Sequence, residues 1–123
     1  MQTLFFSSHD GDNFERLAAA VYQVIPKNQI ESFDKMDDFE ERLRRPVAPD
    51  SVAVLSATTL GELHLMQQLR GLLTEIYIIL VIPDRKKRTI ELAHLLLPRF
   101  LSQKTDDFVD LGKVLAKMVR TPF

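Results

Sequence analysis

Five strand-like stretches alternate with five helical patterns along 123 residues. That alternation predicts an α/β fold, a three-layer αβα sandwich whose five-stranded parallel sheet lies between two layers of helices. Two further observations support it. Ser51–Ser56 and Ile76–Ile82 are apolar on both faces, as strands in the middle of a covered parallel sheet are. The connections are short, which in a βαβ series imposes right-handed crossovers. For five such units the flavodoxin-like strand order 2-1-3-4-5 is the expected winding, with a Rossmann-like variant as the alternative. Residues 1–123 read as one domain.

Thr3–Ser7 forms the first strand. Ser8-His9-Asp10-Gly11-Asp12-Asn13 is a turn cluster in which Asp12 or Asn13 caps the first helix. Phe14, Leu17, Ala18, Val21, Tyr22, Val24 and Ile25 recur at helical spacing, and Pro26 stops the helix. Gln29–Phe33 alternates and reads as a half-exposed strand near a sheet edge. Met36, Phe39 and Leu43 mark a short helix over Asp37–Arg45, acidic at its start and basic at its end, as the helix dipole favours.

The run Ser51–Ser56 is the central strand. Thr59 caps the next helix, with Glu62 completing a capping box. Leu60, Leu63, Leu65, Met66, Leu69, Leu72 and Leu73 give that helix a broad apolar face. Glu75–Ile82 is a second buried strand, ended by Pro83-Asp84. A basic cluster, Arg85–Arg88, opens the next segment, where Ile90, Leu92, Ala93, Leu95, Leu96 and Leu97 form a helix stopped by Pro98. Arg99–Ser102 is the last strand. Asp106 or Asp107 caps a final helix carrying Phe108, Leu111, Val114, Leu115, Met118 and Val119 on one face, and residues 121–123 are a tail.

Composition narrows the function. The formal net charge is −1 and cysteine is absent. Near-neutrality argues against nucleic acid as the main partner, and the lack of thiols removes disulfides, thiolate metal sites and cysteine nucleophiles. No apolar run approaches the roughly 20 residues that span a bilayer, so no membrane association is expected. With no export signal and no cysteine, the cytoplasm is the expected compartment.

Few side-chain constellations carry chemistry. His9, Asp10 and Asp12 offer a metal an imidazole and two carboxylates, but their spacing suits a turn and helix cap better. Ser7–Asn13 as a phosphate cradle has one glycine and no lysine, and no Walker or dinucleotide pattern. Ser56 lacks the glycine-flanked elbow of a hydrolase nucleophile. His64 and His94 lie within helical patterns and read as packing or surface residues. Lys86, Lys87 and Arg88 read as a solvated helix start, with contact to phosphate or an acidic partner as the alternative, since that end of a helix disfavours cations. No enzyme activity, cofactor or metal is expected from these residues.

The pattern resembles the receiver domain of two-component response regulators over nearly the whole chain. Pro49-Asp50 before a buried strand resembles that family's lead into its third strand. Ala93–Leu101 followed by Gln103-Lys104 resembles its fourth helix and fifth strand. The family's phosphotransfer uses an acidic pair after the first strand, an acceptor aspartate after the third, a hydroxyl after the fourth and a lysine after the fifth. Carried onto this chain, the acidic pair falls on Ser7 and Ser8, the acceptor on Leu55 or Ser56, the hydroxyl on Val81 or Ile82, and the lysine on Gln103 or Lys104, with Phe100 as the fifth-strand aromatic favouring Gln103. Serines and hydrocarbon do not gather the negative oxygens that Mg²⁺ requires.

The resemblance therefore implies a degenerate, phosphorylation-independent receiver from a bacterial-type two-component system. It would bind a protein partner, or a second copy as a homodimer, through the fourth helix, fifth strand and fifth helix. Arg88, Leu95, Phe100 and Phe108 are the residues expected on that face. A small flavodoxin-like protein that binds a ligand or nucleotide through the Ser7–Asn13 loop and Thr58-Thr59 is the alternative, and a subunit completed by another chain is a third.

Overall fold

The computed structural model describes residues 2–8 and 13–120. Its elements run β1 (Thr3–Ser7), α1 (Asn13–Val24), β2 (Ile30–Phe33), α2 (Met36–Leu43), β3 (Val52–Ser56), α3 (Leu60–Gln68), β4 (Tyr77–Ile82), α4 (Lys87–His94), β5 (Phe100–Gln103) and α5 (Val109–Arg120). The sheet is parallel throughout, in the order β2-β1-β3-β4-β5. The predicted fold and winding are both present. Short 3₁₀ turns at Lys27–Gln29 and Arg70–Leu72 lead into β2 and follow α3.

Strand alternation divides the core in two. Leu4, Phe6, Ala53, Leu55, Leu80 and Ile82 face the layer of α2, α3 and α4. Phe5, Val52, Val54, Ile79 and Val81 face the layer of α1 and α5. Successive side chains on a strand point to opposite faces, so one strand feeds both cores. This explains why these runs carry no charge and are apolar on both faces: every residue of β1 and β3 is buried. β2 lies at the sheet edge and is only half-buried, as its alternating sequence predicts. It is held by α2, where the buried Arg42 guanidinium meets both carboxylate oxygens of Glu31 at 2.8 and 3.3 Å.

Several boundaries and faces differ from the sequence-based expectation. α3 ends at Gln68 and its chain continues as a 3₁₀ turn, so Leu69 and Leu73 reach the core from outside the α-helix. Leu65, assigned to the apolar face, is 45% exposed. α4 has Lys87 and Arg88 in its first turn, as expected, but ends at His94, short of Pro98. Leu95 and Leu97 then stand outside the core, Leu97 at 83% exposure with φ 53°. Phe108 has φ 64° and precedes α5 rather than opening it. Asp107 caps that helix by accepting from Val109 N–H at 3.0 Å.

Candidate functional site

In open α/β sheets the crevice beyond the C-terminal strand ends is where ligands bind. Parallel register brings the relevant residues into line here. Ser7 pairs with Ser56, Ser56 with Val81, and Ile82 with Gln103. By alternation Ser7, Ser56 and Val81 point to the α1/α5 side, continuing the rows Phe5, Val54 and Ile79. Leu55 and Ile82 point into the opposite core.

At the head of the sheet the two serines that end β1 and β3 are buried. Ser7 and Ser56 are 2% and 0% exposed. Ser7 Oγ donates to the Ser8 carbonyl at 3.2 Å. Ser56 Oγ accepts from Asn13 Nδ2 at 3.4 Å, so the first residue of α1 lies across the end of β3. Asn13, expected as a helix cap, is itself buried. Ser8 Oγ is enclosed and, among the described residues, has no hydrogen-bond partner.

On the β3–β5 side the loops are tied to one another. Glu62 Oε1 accepts from the Thr58 backbone N–H at 2.8 Å and from its hydroxyl at 2.6 Å. Thr59 Oγ1 accepts from Glu62 N–H at 3.1 Å. This is the expected capping box, with the carboxylate reaching one residue further back. Lys104 Nζ donates to the Thr58 carbonyl at 3.4 Å. Lys104, rather than Gln103, therefore reaches across the head of the sheet. Gln103 Oε1 instead accepts from Arg85 Nε at 3.1 Å.

The carboxylates of Asp84 and Asp106 near this end are already engaged. Asp106 Oδ2 accepts from the Gln103 N–H and the Ser102 hydroxyl, each at 2.8 Å. The Gln103 hydrogen bond first, then Ser102, Arg85 and Arg16, hold its carboxyl below the ordinary value of 3.8. Asp84 is lowered likewise by the Thr89 hydroxyl and the Lys86 N–H. Arg16 of α1 donates to the carbonyls of Lys104 and Asp106, fastening the β5–α5 turn to α1.

These contacts define what the arrangement can do. Ser7 and Ser56 offer neutral oxygens in a dry setting, and Val81 offers none. Among the described residues no group of three or more His, Asp or Glu is placed to hold a metal ion. His9, Asp10 and Asp12 lie outside the described residues. His64 and His94 are exposed on helices of the opposite layer from Ser56, out of reach as a base for its hydroxyl.

The four residues expected on the outer face separate. Arg88 and Leu95 are exposed, and Phe100 is half-buried against the α1/α5 core. Phe108 is 2% exposed and corrects the expectation: it is a core residue beneath that face, with the Arg16 guanidinium 5.4 Å above its ring. Sequence reasoning missed the links of Asn13 to Ser56, Lys104 to Thr58 and Arg16 to the β5–α5 turn, because polar pairs 43 to 90 residues apart leave no periodic signal.

Among solved structures the chain is similar to a response regulator receiver protein from Dyadobacter fermentans, with a TM-score of 0.67. The match covers 97% of this chain and 98% of that one. This chain has a receiver-domain fold. Identity is 14%, so the likeness lies in the path of the backbone. No protein-family model matches the sequence, and no curated protein does. Against the receiver architecture, β1 and β3 end in Ser7 and Ser56, in register at the head of the sheet. No helix among the described residues is long and apolar enough to cross a membrane.

Proposed function

We propose that this chain is a degenerate receiver: a protein-interaction module of a bacterial-type two-component system that works without phosphorylation, without a metal or other cofactor, and without enzyme activity of its own. The observation that carries this reading is Ser56. It stands at the end of the central strand, fully buried and hydrogen-bonded to Asn13, where an acceptor carboxylate would have to be charged and reachable. Ser7 beside it contributes a second neutral oxygen. A hard divalent cation needs several anionic oxygens, and these positions supply none.

Without a phosphoryl input, its state would be set by what it binds. The contact surface is the outer side of α4, β5 and the start of α5, where Arg88, Leu95 and Val109 are exposed and Phe100 is partly so. The partner is a protein or a second copy, met in the cytoplasm. Incubation with Mg²⁺ and acetyl phosphate, followed by intact-mass measurement, tests the reading. An unchanged mass is expected, and a gain of one phosphate overturns it.

A further inference from the structure

Two surfaces on the same helical layer are complementary, and strand order sets them at opposite flanks. One is the outer side of α4. Arg88, Glu91 and Leu95 share a helix face at spacings of three and four. Leu95 is 48% exposed, and two residues on Leu97 is 83% exposed. Leu97 also adopts φ 53°, a left-handed conformation that is strained for a leucine. A glycine or asparagine would hold this turn with less strain and expose no hydrocarbon. The chain thus carries a local backbone cost while presenting a leucine to solvent, which marks a contact surface.

The other surface is a groove of about 470 Å³ between α2 and α3. Met36, Leu65, Leu69 and Leu72 give it an apolar lining, and Leu65 is the exposed leucine of α3. Asp37 and Glu40 line it as well. Arg44 lies there too, but its guanidinium is 2.8 Å from Glu40. α2 further carries the exposed Asp38 and Glu41 and follows Asp34; its Arg42 is buried on Glu31, and the exposed cations Lys35 and Arg45 flank the helix, so the acidic groups stay in excess. The α4 flank has the opposite sign, with Lys86 before the helix and Lys87 and Arg88 in its first turn, Arg85 being turned to Gln103 and Asp106. Glu91 on that flank is 3.9 Å from Lys87.

We propose that the occupant of the groove is a second copy of this chain, whose Leu95 and Leu97 enter the apolar lining while its basic α4 start meets the acidic α2. This rests on reading α4 as a contact surface and goes further by naming what α4 meets. β2 and α2 stand at one edge of the sheet and β5 and α4 at the other. The contact is therefore head to tail: each copy offers both surfaces, and association extends beyond a dimer unless rotation closes a ring. The attraction between exposed charges weakens with salt.

Sedimentation velocity over a concentration series at low salt tests this, with Leu97→Glu disabling the leucine donor and Leu65→Lys disabling the groove. Both positions are exposed, so both variants should fold, which circular dichroism verifies. The wild-type chain should show a mass that rises with concentration and falls with salt, and each variant alone should stay monomeric. An equimolar mixture of the two should form dimers that grow no further, since one intact donor and one intact groove remain. A wild-type chain that is monomeric throughout overturns the proposal. So does self-association that Leu65→Lys leaves unchanged, which would point to a symmetric α4–β5–α5 contact and leave the proposed function standing.

Discussion

Replacing Ser56 by aspartate puts a carboxylate at the head of the central strand and asks whether that position can carry charge. The site is 0% exposed, and its hydroxyl has one donor, the Asn13 amide, at 3.4 Å. A fully buried carboxyl has its pKa raised by roughly 3–5 units, and the single amide donor offsets part of that, leaving ~2–3 units. At about 1.36 kcal/mol per unit, ionisation costs roughly 3–4 kcal/mol at neutral pH. That is a large share of the ~5–15 kcal/mol that holds a domain folded. The sign follows from the raised folded-state pKa. The loss is absent while the group is protonated in both states, grows as pH rises above the ordinary value of about 3.9, and levels off once the folded form also ionises. Ser56→Asn has nearly the same shape without charge and serves as the control. Urea denaturation of both variants at about pH 4 and pH 7.5 should show similar stabilities at the lower pH and Ser56→Asp weaker at the higher. Adding Mg²⁺ should not restore it, since Ser7 and Ser8 bring no further charge. Equal stability of the two variants at the higher pH would show that Ser56 borders a hydrated opening, and the reasoning would fail.

The clamp between β2 and α2 should matter more than an exposed ion pair does. Arg42 is buried while Glu31 is 43% exposed, so Arg42→Ala should cost about 2 kcal/mol in urea unfolding, chiefly through lost packing and a bidentate contact. Asp106, whose carboxyl is held below 3.8, contributes stability above that pH and loses it as pH falls through its lowered folded-state value. Asp106→Asn should therefore lose less stability on acidification than the wild-type chain, as read from melting temperatures across the acid range. Leu97→Asn should raise stability by about 0.5 kcal/mol in dilute solution, because it relieves the left-handed strain at a residue that is 83% exposed in the single chain.

Much of the architecture was legible because burial on both faces leaves a direct trace. The apolar runs of β3 and β4 announced central parallel strands, and the alternation in β2 announced an edge. Periodicity could not show which leucines at the helix ends stay outside. Leu97 shares the spacing of core residues, yet α4 ends at His94, which leaves it outside; Leu65 lies within α3 two residues from the buried Leu63, on the other side of the helix. Phe108 was misplaced for a related reason: a left-handed φ at a phenylalanine has no sequence signature and swings the ring inward. At the head of the sheet the residue types were readable and the contacts were not. Counting from Phe100 favours Gln103, while the greater reach of a lysine lets Lys104 span to Thr58.

The most direct test is a backbone amide NMR spectrum of the chain recorded with Mg²⁺ and beryllofluoride, which mimics a phosphoryl group on an acidic acceptor. Unmoved amides at Ser7, Ser56, Ala57 and Thr58 are the expected result. Saturable shifts centred on Ser56 would reveal a working metal and phosphoryl site and contradict the assignment of this fold to recognition without reaction.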